Sequence, residues 1–241
     1  MNIAMEAVLL IIILMCAWTG YKKGLVMCIG TILAIIISLY VGDLLSDTFS
    51  PAVKPAVRPF ISGYMDGSQG AISDSLDELL DGNPAGLSVE DALQQYPDLK
   101  HRLCESSFKK VGAYTSSAKS MADEAVGLSE KNGISLSSAI VDITCSYFTY
   151  LVAFILFFVL TLIVFTVLGN IFNLSVKIPD RERLNTVGGA VVGGVTGIVY
   201  CIIIAWVLKF SGALFPEEEM RHTLLTSLFL KINFLSVFLS I

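Results

Sequence analysis

The sequence predicts an all-α integral membrane protein with four transmembrane helices arranged as two hairpins. Two observations lead to this fold class. Four stretches contain no Asp, Glu, Lys or Arg, at residues 7–21, 24–42, 143–176 and 184–208. The composition is 54% hydrophobic and 15% charged, whereas soluble domains carry about 25% charged residues. Because lipid offers no partner for backbone groups and a crossing takes about 20 apolar residues, each stretch is expected to be a helix.

Residues 1–42 make the first predicted hairpin. A cleaved signal peptide is the alternative for its first apolar run, which has the size of a signal core. Signal peptides begin with basic residues, however, and here Lys22 and Lys23 follow the run instead. This order favours a retained helix. The turn after it is expected to use Gly20, Lys22, Lys23 and Gly24.

The placement of basic residues predicts the orientation in the membrane. Lys22 and Lys23 lie in the first turn, and Lys177, Arg181 and Arg183 lie in or beside the second. Short loops rich in Lys and Arg stay in the cytoplasm. Both turns are therefore expected inside, and the N-terminus, the middle segment and the C-terminus are expected outside.

The middle segment, residues 43–142, is predicted to be a helical extracytoplasmic insertion. Prolines recur at every fourth position, at Pro51, Pro55 and Pro59, and predict a broken or extended backbone there. Helical patterns follow at 72–80, 89–95, 99–111 and 116–130, with Ser88 and Asp91 resembling an N-terminal cap and Asn132-Gly133 a turn. No alternating pattern indicates a sheet, and the thin apolar content predicts a loosely packed cap.

Candidate sites for chemistry are scarce in this sequence. Four acidic residues share a helical face and suggest either a divalent-cation site or a solvated surface: Asp74, Asp77, Glu78 and Asp81. The alternating ligands and central glycine of a calcium loop are missing, which favours the solvated surface. The five cysteines form no CxxC pair, and Cys104 is the one expected to meet water. We predict no catalytic, cofactor-binding or metal-binding residues, no enzyme activity and no nucleic-acid partner.

Glycines recur in the fourth apolar stretch, residues 184–208. Gly189, Gly193 and Gly197 are four residues apart and share one helix face, and Gly188 and Gly194 widen the small surface. Small residues at this spacing let membrane helices approach closely. The pattern predicts a tight helix–helix seam, either within the chain or between subunits, whereas the alternative is that some glycines only tolerate a kink.

Neutral polar residues replace charges inside the predicted spans. Asn170 and Asn173, one turn apart, form a candidate polar pair. The absence of buried charge disfavours a proton-coupled transporter or a charge-lined channel.

The C-terminal tail, residues 209–241, has apolar residues on one helical face after Glu217-Glu218-Glu219. Lys231 interrupts the face and leaves too few residues after it for a comfortable fifth crossing. An amphipathic helix at the outer interface, or docked on the bundle, is therefore expected.

Short motifs in order along the chain resemble the CvpA family, the colicin V production proteins of bacteria. The motifs are Gly20-Tyr21-Lys22-Lys23-Gly24, Leu128 to Ile134, Lys177-Ile178-Pro179, Leu184-Asn185 leading into Gly188-Gly189, and Ser227 to Lys231. The resemblance is to the version common in Gram-positive bacteria, from which residues 60–127 depart as an enlarged insertion.

The resemblance implies a multi-pass protein of the bacterial cytoplasmic (inner) membrane that is linked to export of a peptide toxin and to envelope homeostasis. We expect a non-catalytic accessory protein that assembles through its helices with itself or with other membrane proteins. The alternative is a small oligomeric channel or transporter whose pore is lined by Asn and Thr.

Overall fold

The computed structural model describes residues 2–67, 70–82, 86–171, 182–210, 217, 220 and 224–231. Within these ranges the regular structure is helical and contains no strands, which confirms the all-α prediction. The helices bounded in these ranges are α1 (Asn2–Lys23), α2 (Leu25–Met65), α3 (Ala71–Leu79), α4 (Val89–Gln95), α5 (Leu99–Lys110), α6 (Thr115–Asn132), α7 (Leu136–Ile171), α8 (Glu182–Leu208) and α9 (Leu224–Lys231).

Four helices among the described residues are long and apolar enough to cross a membrane, as the sequence predicted. These candidate spans are Ala4–Lys23 in α1, α2, Leu136–Gly169 in α7, and α8. Both α2 and α7 extend beyond the uncharged runs that predicted them. The helix α2 continues to Met65, and α7 begins at Leu136. Large apolar side chains lie exposed on these helices, as expected for surfaces that face lipid.

The continuity of α2 corrects the prediction of a broken backbone at the prolines. The helix runs through Pro51, Pro55 and Pro59, and all three are exposed. The three prolines are four residues apart, so the helical hydrogen bonds that they cannot donate all lie on one outward face. The carbonyls of Pro51 and Pro55 are two of the acceptors that lack this hydrogen bond. Lys54 and Arg58, between the prolines, contact α7 and hold the helix in place.

These contacts are polar and converge on one carboxylate of α7. The Asp142 Oδ1 lies 3.3 Å from Arg58 Nη2 and 3.9 Å from Lys54 Nζ. Lys54 Nζ also donates to Ser146 Oγ at 2.8 Å. The prediction failed because helix-breaking tendencies are local, whereas these tertiary contacts join segments about 90 residues apart in sequence.

The chain divides into two compact units. One comprises Met1–Asp47, Val152–Val207 and Glu218–Ile241, and contains the candidate span of α1, that of α8 as far as Val207, and parts of those in α2 and α7. The other comprises Thr48–Leu151 and Leu208–Glu217. We refer to them as the first unit and the second unit.

The core of the second unit is formed by α3, α5 and α6, and it corrects the prediction of a loosely packed cap. Leu103 and Phe108 of α5 are completely buried. Three small residues of α6 are completely buried beside this core: Ala118, Ala122 and Ala125. Small side chains let helices approach closely, so a sequence of modest apolar content still forms a close-packed core.

Local capping signals in the second unit match the prediction. Ser88 Oγ accepts a hydrogen bond from the Asp91 backbone N–H at the start of α4. Gly133 ends α6 in the left-handed conformation, with φ of 63°. The first turn of α6 has a distant partner, since the Glu217 carboxylate accepts from the Thr115 backbone N–H at 2.7 Å.

Cys104 corrects another prediction, because it is fully buried and does not meet water. Burial raises the pKa of its thiol to about 12. Cys104 lies on the same buried face of α5 as Leu103 and Phe108. The hydropathy of the surrounding sequence did not reveal this face.

The acidic residues of α3 lie on an exposed face. Asp74, Asp77 and Glu78 are all exposed, and Glu78 Oε2 lies 3.1 Å from Lys110 Nζ. Asp81 follows the helix and is also exposed, with φ of 50°. Among the residues with described placement, no group of three or more His, Cys, Asp or Glu side chains is arranged to hold a metal ion.

The tail helix α9 packs against α1 and α8 within the first unit. Phe229 is buried with Leu9 of α1 and with Cys201 and Ala205 of α8. At the first turn of α9, the Leu225 backbone N–H donates to Glu6 Oε1 at 3.2 Å. Of the two placements expected for the tail, docking on the bundle therefore holds for 224–231; the segment 232–241 lies outside the described residues.

Candidate functional site

The glycine ladder of α8 faces the backbone of α1 within the same chain. A Cβ atom built on Gly197 would lie 2.8 Å from the Ile13 Cα, closer than real Cβ atoms come to other atoms. A Cβ on Gly193 would collide with the Cys16 carbonyl oxygen and lie 3.2 Å from the Ala17 Cα. These contacts form a tight helix–helix seam of the kind that small residues allow in membranes.

The seam continues to the end of α1 through Gly20 and Gly189. A Cβ on either residue would collide with the carbonyl oxygen of the other. The two backbones therefore touch at a point where neither residue tolerates a side chain. Gly20, predicted as part of the turn, also belongs to this seam.

The turn between α1 and α2 is formed at Gly24, whose φ is 86°. This left-handed conformation suits glycine because it carries no Cβ. The Asn185 side chain of α8 packs against Gly24, and its Oδ1 accepts from the Leu25 backbone N–H at 2.9 Å. Asn185 therefore caps the first turn of α2 from a different helix, where backbone N–H groups lack helical partners.

The capping role of Asn185 was not predicted from the sequence. The available signal was its position, one helical turn before Gly189 on the ladder. A residue at that position shares the face that contacts α1 and the turn. Two of the motifs on which the predicted family resemblance was based, Gly20–Gly24 and Leu184–Gly189, thus meet in space.

The other two candidate packing glycines lie apart from the α1 contact. A Cβ on Gly188 would lie 3.1 Å from the Leu25 side chain, so this glycine adjoins α2. A Cβ on Gly194 would meet no described atom within 4 Å. Gly194 therefore does not belong to the seam, although its neighbour Gly193 does.

Lys22 and Lys23 of the predicted turn occupy the end of α1. Lys22 Nζ lies 5.2 Å from the centre of the Trp18 ring. Trp18 stacks on Tyr21 with ring centres 6.0 Å apart, and both rings are at least half exposed. Exposed Trp and Tyr near the end of a span are typical of the membrane–water interface. These side chains are therefore those expected of a turn at the level of lipid headgroups.

The candidate polar pair falls at the limit of the described residues. Asn170 lies in α7, near the end of the helix at Ile171. The structure describes its backbone and not its side chain. Asn173 lies in the segment 172–181, outside the described residues, as do Lys177 and Arg181. The pair stays a prediction.

A cavity of about 860 Å³ lies in the first unit and is lined by α1, α2, α7 and α8. Four threonines contribute hydroxyl groups to its wall: Thr19, Thr31, Thr166 and Thr196. Each of these hydroxyls donates to the carbonyl four residues earlier in its own helix, at 2.6–3.0 Å. Lys23 is the charged side chain among the described lining residues. The wall is therefore largely apolar, with one cation at one end.

The geometry above defines a class: an α-helical integral membrane protein whose candidate spans pack through a glycine seam. Residues 117–233 match the family model described as Colicin V production protein. The match confirms the predicted family resemblance from α6 to α9, and the first hairpin lies outside the matched residues. No curated protein and no solved structure matches the chain.

Proposed function

We propose that this chain is a non-catalytic accessory protein of toxin production or export, with a role in envelope homeostasis. The observation that carries the proposal is the match to the Colicin V production protein model over residues 117–233, in a chain with four candidate spans. The proposed location is the bacterial cytoplasmic membrane, with the Lys22–Lys23 turn inside and both termini outside, because basic turns stay in the cytoplasm.

The proposed mode of action is assembly with further copies or with other membrane proteins through lipid-exposed helix faces. The ladder of Gly189, Gly193 and Gly197 supports the fold of the chain itself, since these glycines contact α1. Assembly therefore has to use other surfaces. Val191 of α8 and Leu14 of α1 are 63% and 58% exposed and lie on such surfaces.

Photo-crosslinking in native membranes tests this proposal. A photoreactive amino acid is placed at Val191 or Leu14, with Leu9, which is 1% exposed, as the matched buried control. We expect discrete protein adducts from at least one exposed position, none from the control, and loss of toxin export when the gene is deleted. Unchanged export on deletion, or only lipid adducts at both exposed positions, would overturn the proposal.

The alternative of a channel or transporter has one observation in its favour, the cavity lined by four candidate spans. Its threonine hydroxyls donate to their own helices, and its wall is largely apolar, so it offers little to replace the water around an ion or polar solute. Purified protein in liposomes separates the two functions. Solute flux or conductance from the protein alone would replace the accessory role with the channel.

A further inference from the structure

We propose that the cavity of the first unit is a binding site for one anionic phospholipid, with the phosphate at the Lys22–Lys23 turn and an acyl chain inside. This site goes beyond the accessory role and does not depend on it. Four properties of the cavity carry the proposal: its length, its lateral opening, its charge and its wall.

The length of the cavity matches one leaflet of a bilayer. Along α2 the lining residues run from Val26 to Ala34, which is about 12 Å of helix at about 1.5 Å per residue. Half of a hydrocarbon core is about 15 Å. The volume of about 860 Å³ also lies within the range of ligand sites, about 300–1,000 Å³. An acyl chain that starts at headgroup level therefore has the reach to follow the cavity.

The cavity opens sideways on the surface of the first unit. Three of its lining side chains are strongly exposed: Met15 at 64%, Leu33 at 55% and Ile29 at 47%. All three lie within candidate spans, where the exterior is lipid. A lipid molecule thus has direct access to the cavity from the bilayer.

The charge at one end of the cavity is positive. Lys23 lines the cavity, and Lys22 precedes it at the headgroup level marked by Trp18. Arg183 lies two residues before Asn185, whose side chain contacts Leu25, so the start of α8 contributes another cation at this end. One acidic residue, Glu182, accompanies them. Clustered Lys and Arg beside a span favour anionic over zwitterionic headgroups.

The wall of the cavity favours an apolar chain over a polar solute. The hydroxyl protons of the four threonines are already donated within their own helices. A polar solute would lose its hydration without gaining those donors, and that loss is costly. An acyl chain requires no hydrogen bonds and loses nothing at such a wall.

Native mass spectrometry of the full-length protein in mild detergent tests the site. The probes are phosphatidylglycerol and phosphatidylcholine with identical acyl chains. We expect the protein to retain phosphatidylglycerol in preference. Replacing both lysines, in Lys22→Gln/Lys23→Gln, should lower its apparent affinity by about tenfold and leave phosphatidylcholine binding unchanged. Equal binding of the two lipids by the unaltered protein would overturn the proposal.

Two glycines provide a matched test of where the acyl chain binds. Gly30 lines the cavity, and a Cβ on it would meet no described atom within 4 Å, so Gly30→Phe should fill the cavity without displacing backbone. Gly194→Phe adds the same side chain at an equally open position that is not part of the lining. We expect Gly30→Phe to abolish retention of phosphatidylglycerol and Gly194→Phe to preserve it. Equal retention by the two variants would refute the assignment.

Two further arms separate the possible outcomes. If Gly30→Phe does not fold, judged by circular dichroism, Ala34→Leu narrows the same cavity and should also weaken retention. Inorganic phosphate in excess should not displace phosphatidylglycerol, because the acyl chain supplies most of the contact. Complete displacement by phosphate would overturn the lipid site in favour of a simple anion site.

Discussion

The close contact between α8 and α1 predicts different effects on stability for the same substitution at two adjacent glycines. In Gly193→Ala, the new methyl group collides with the Cys16 carbonyl oxygen and approaches the Gly20 Cα to 3.1 Å. In Gly194→Ala, the methyl group meets no described atom within 4 Å. The two residues share one helix and one chemical change, so each variant is the control for the other.

The magnitude follows from what has to move. At Gly193 the obstructing atoms are backbone, which cannot rotate away as a side chain does, and overpacking of this kind costs about 1–3 kcal/mol. At Gly194 only the helix preference for Ala over Gly remains, which stabilises by about 1 kcal/mol in water. We therefore expect the free energy of unfolding to fall for Gly193→Ala and to stay level or rise for Gly194→Ala.

Unfolding of the purified protein in mixed detergent micelles, with increasing SDS, measures this difference. Helix content from circular dichroism and fluorescence of Trp206, which is buried against Phe154, report the transition. The packing that we describe would be refuted if Gly193→Ala were as stable as the unaltered protein. It would also be refuted if Gly194→Ala were less stable than Gly193→Ala.

Three further predictions concern side chains with defined contacts. Asn185→Ala removes the acceptor of the Leu25 N–H and should lower the free energy of unfolding by about 1 kcal/mol. Asn185→Asp keeps an acceptor and should lower the free energy of unfolding by less. An equal loss in the two variants would contradict the cap. Burial raises the pKa of Cys104 to about 12, so at pH 7 to 9 its thiol stays neutral, and a protein retaining only this cysteine should react with maleimide only after denaturation. Asp142→Asn removes the ion pair with Arg58 and should cost about 1 kcal/mol at low salt and less at high salt; a salt-independent loss would point to packing instead.

Local signals identified most of the helices. Ser88 and Gly133 predicted helix ends because caps form between residues that are close in sequence. The prolines of α2 show the limit of that reasoning. Their local preference is outweighed by contacts with Asp142 and Ser146, far along the chain.

The same limit applies to the candidate site. Spacing identified Gly189, Gly193 and Gly197 as one face, but it assigned Gly194 to the same surface, and the fold turns that residue away from α1. The burial of Cys104 and the cap from Asn185 also depend on which helix lies opposite. Periodicity shows which residues share a face and not which neighbour that face meets.

By itself, then, the sequence determined that the chain is helical, that it has four candidate spans and that it resembles one bacterial family. It did so because hydrophobicity and backbone hydrogen bonding act on each segment separately. Only the tertiary structure decided which glycines contact another backbone and where a cavity remains between α1, α2, α7 and α8. Those features depend on distances between segments far apart in the chain, and such distances are set by the packing of whole helices.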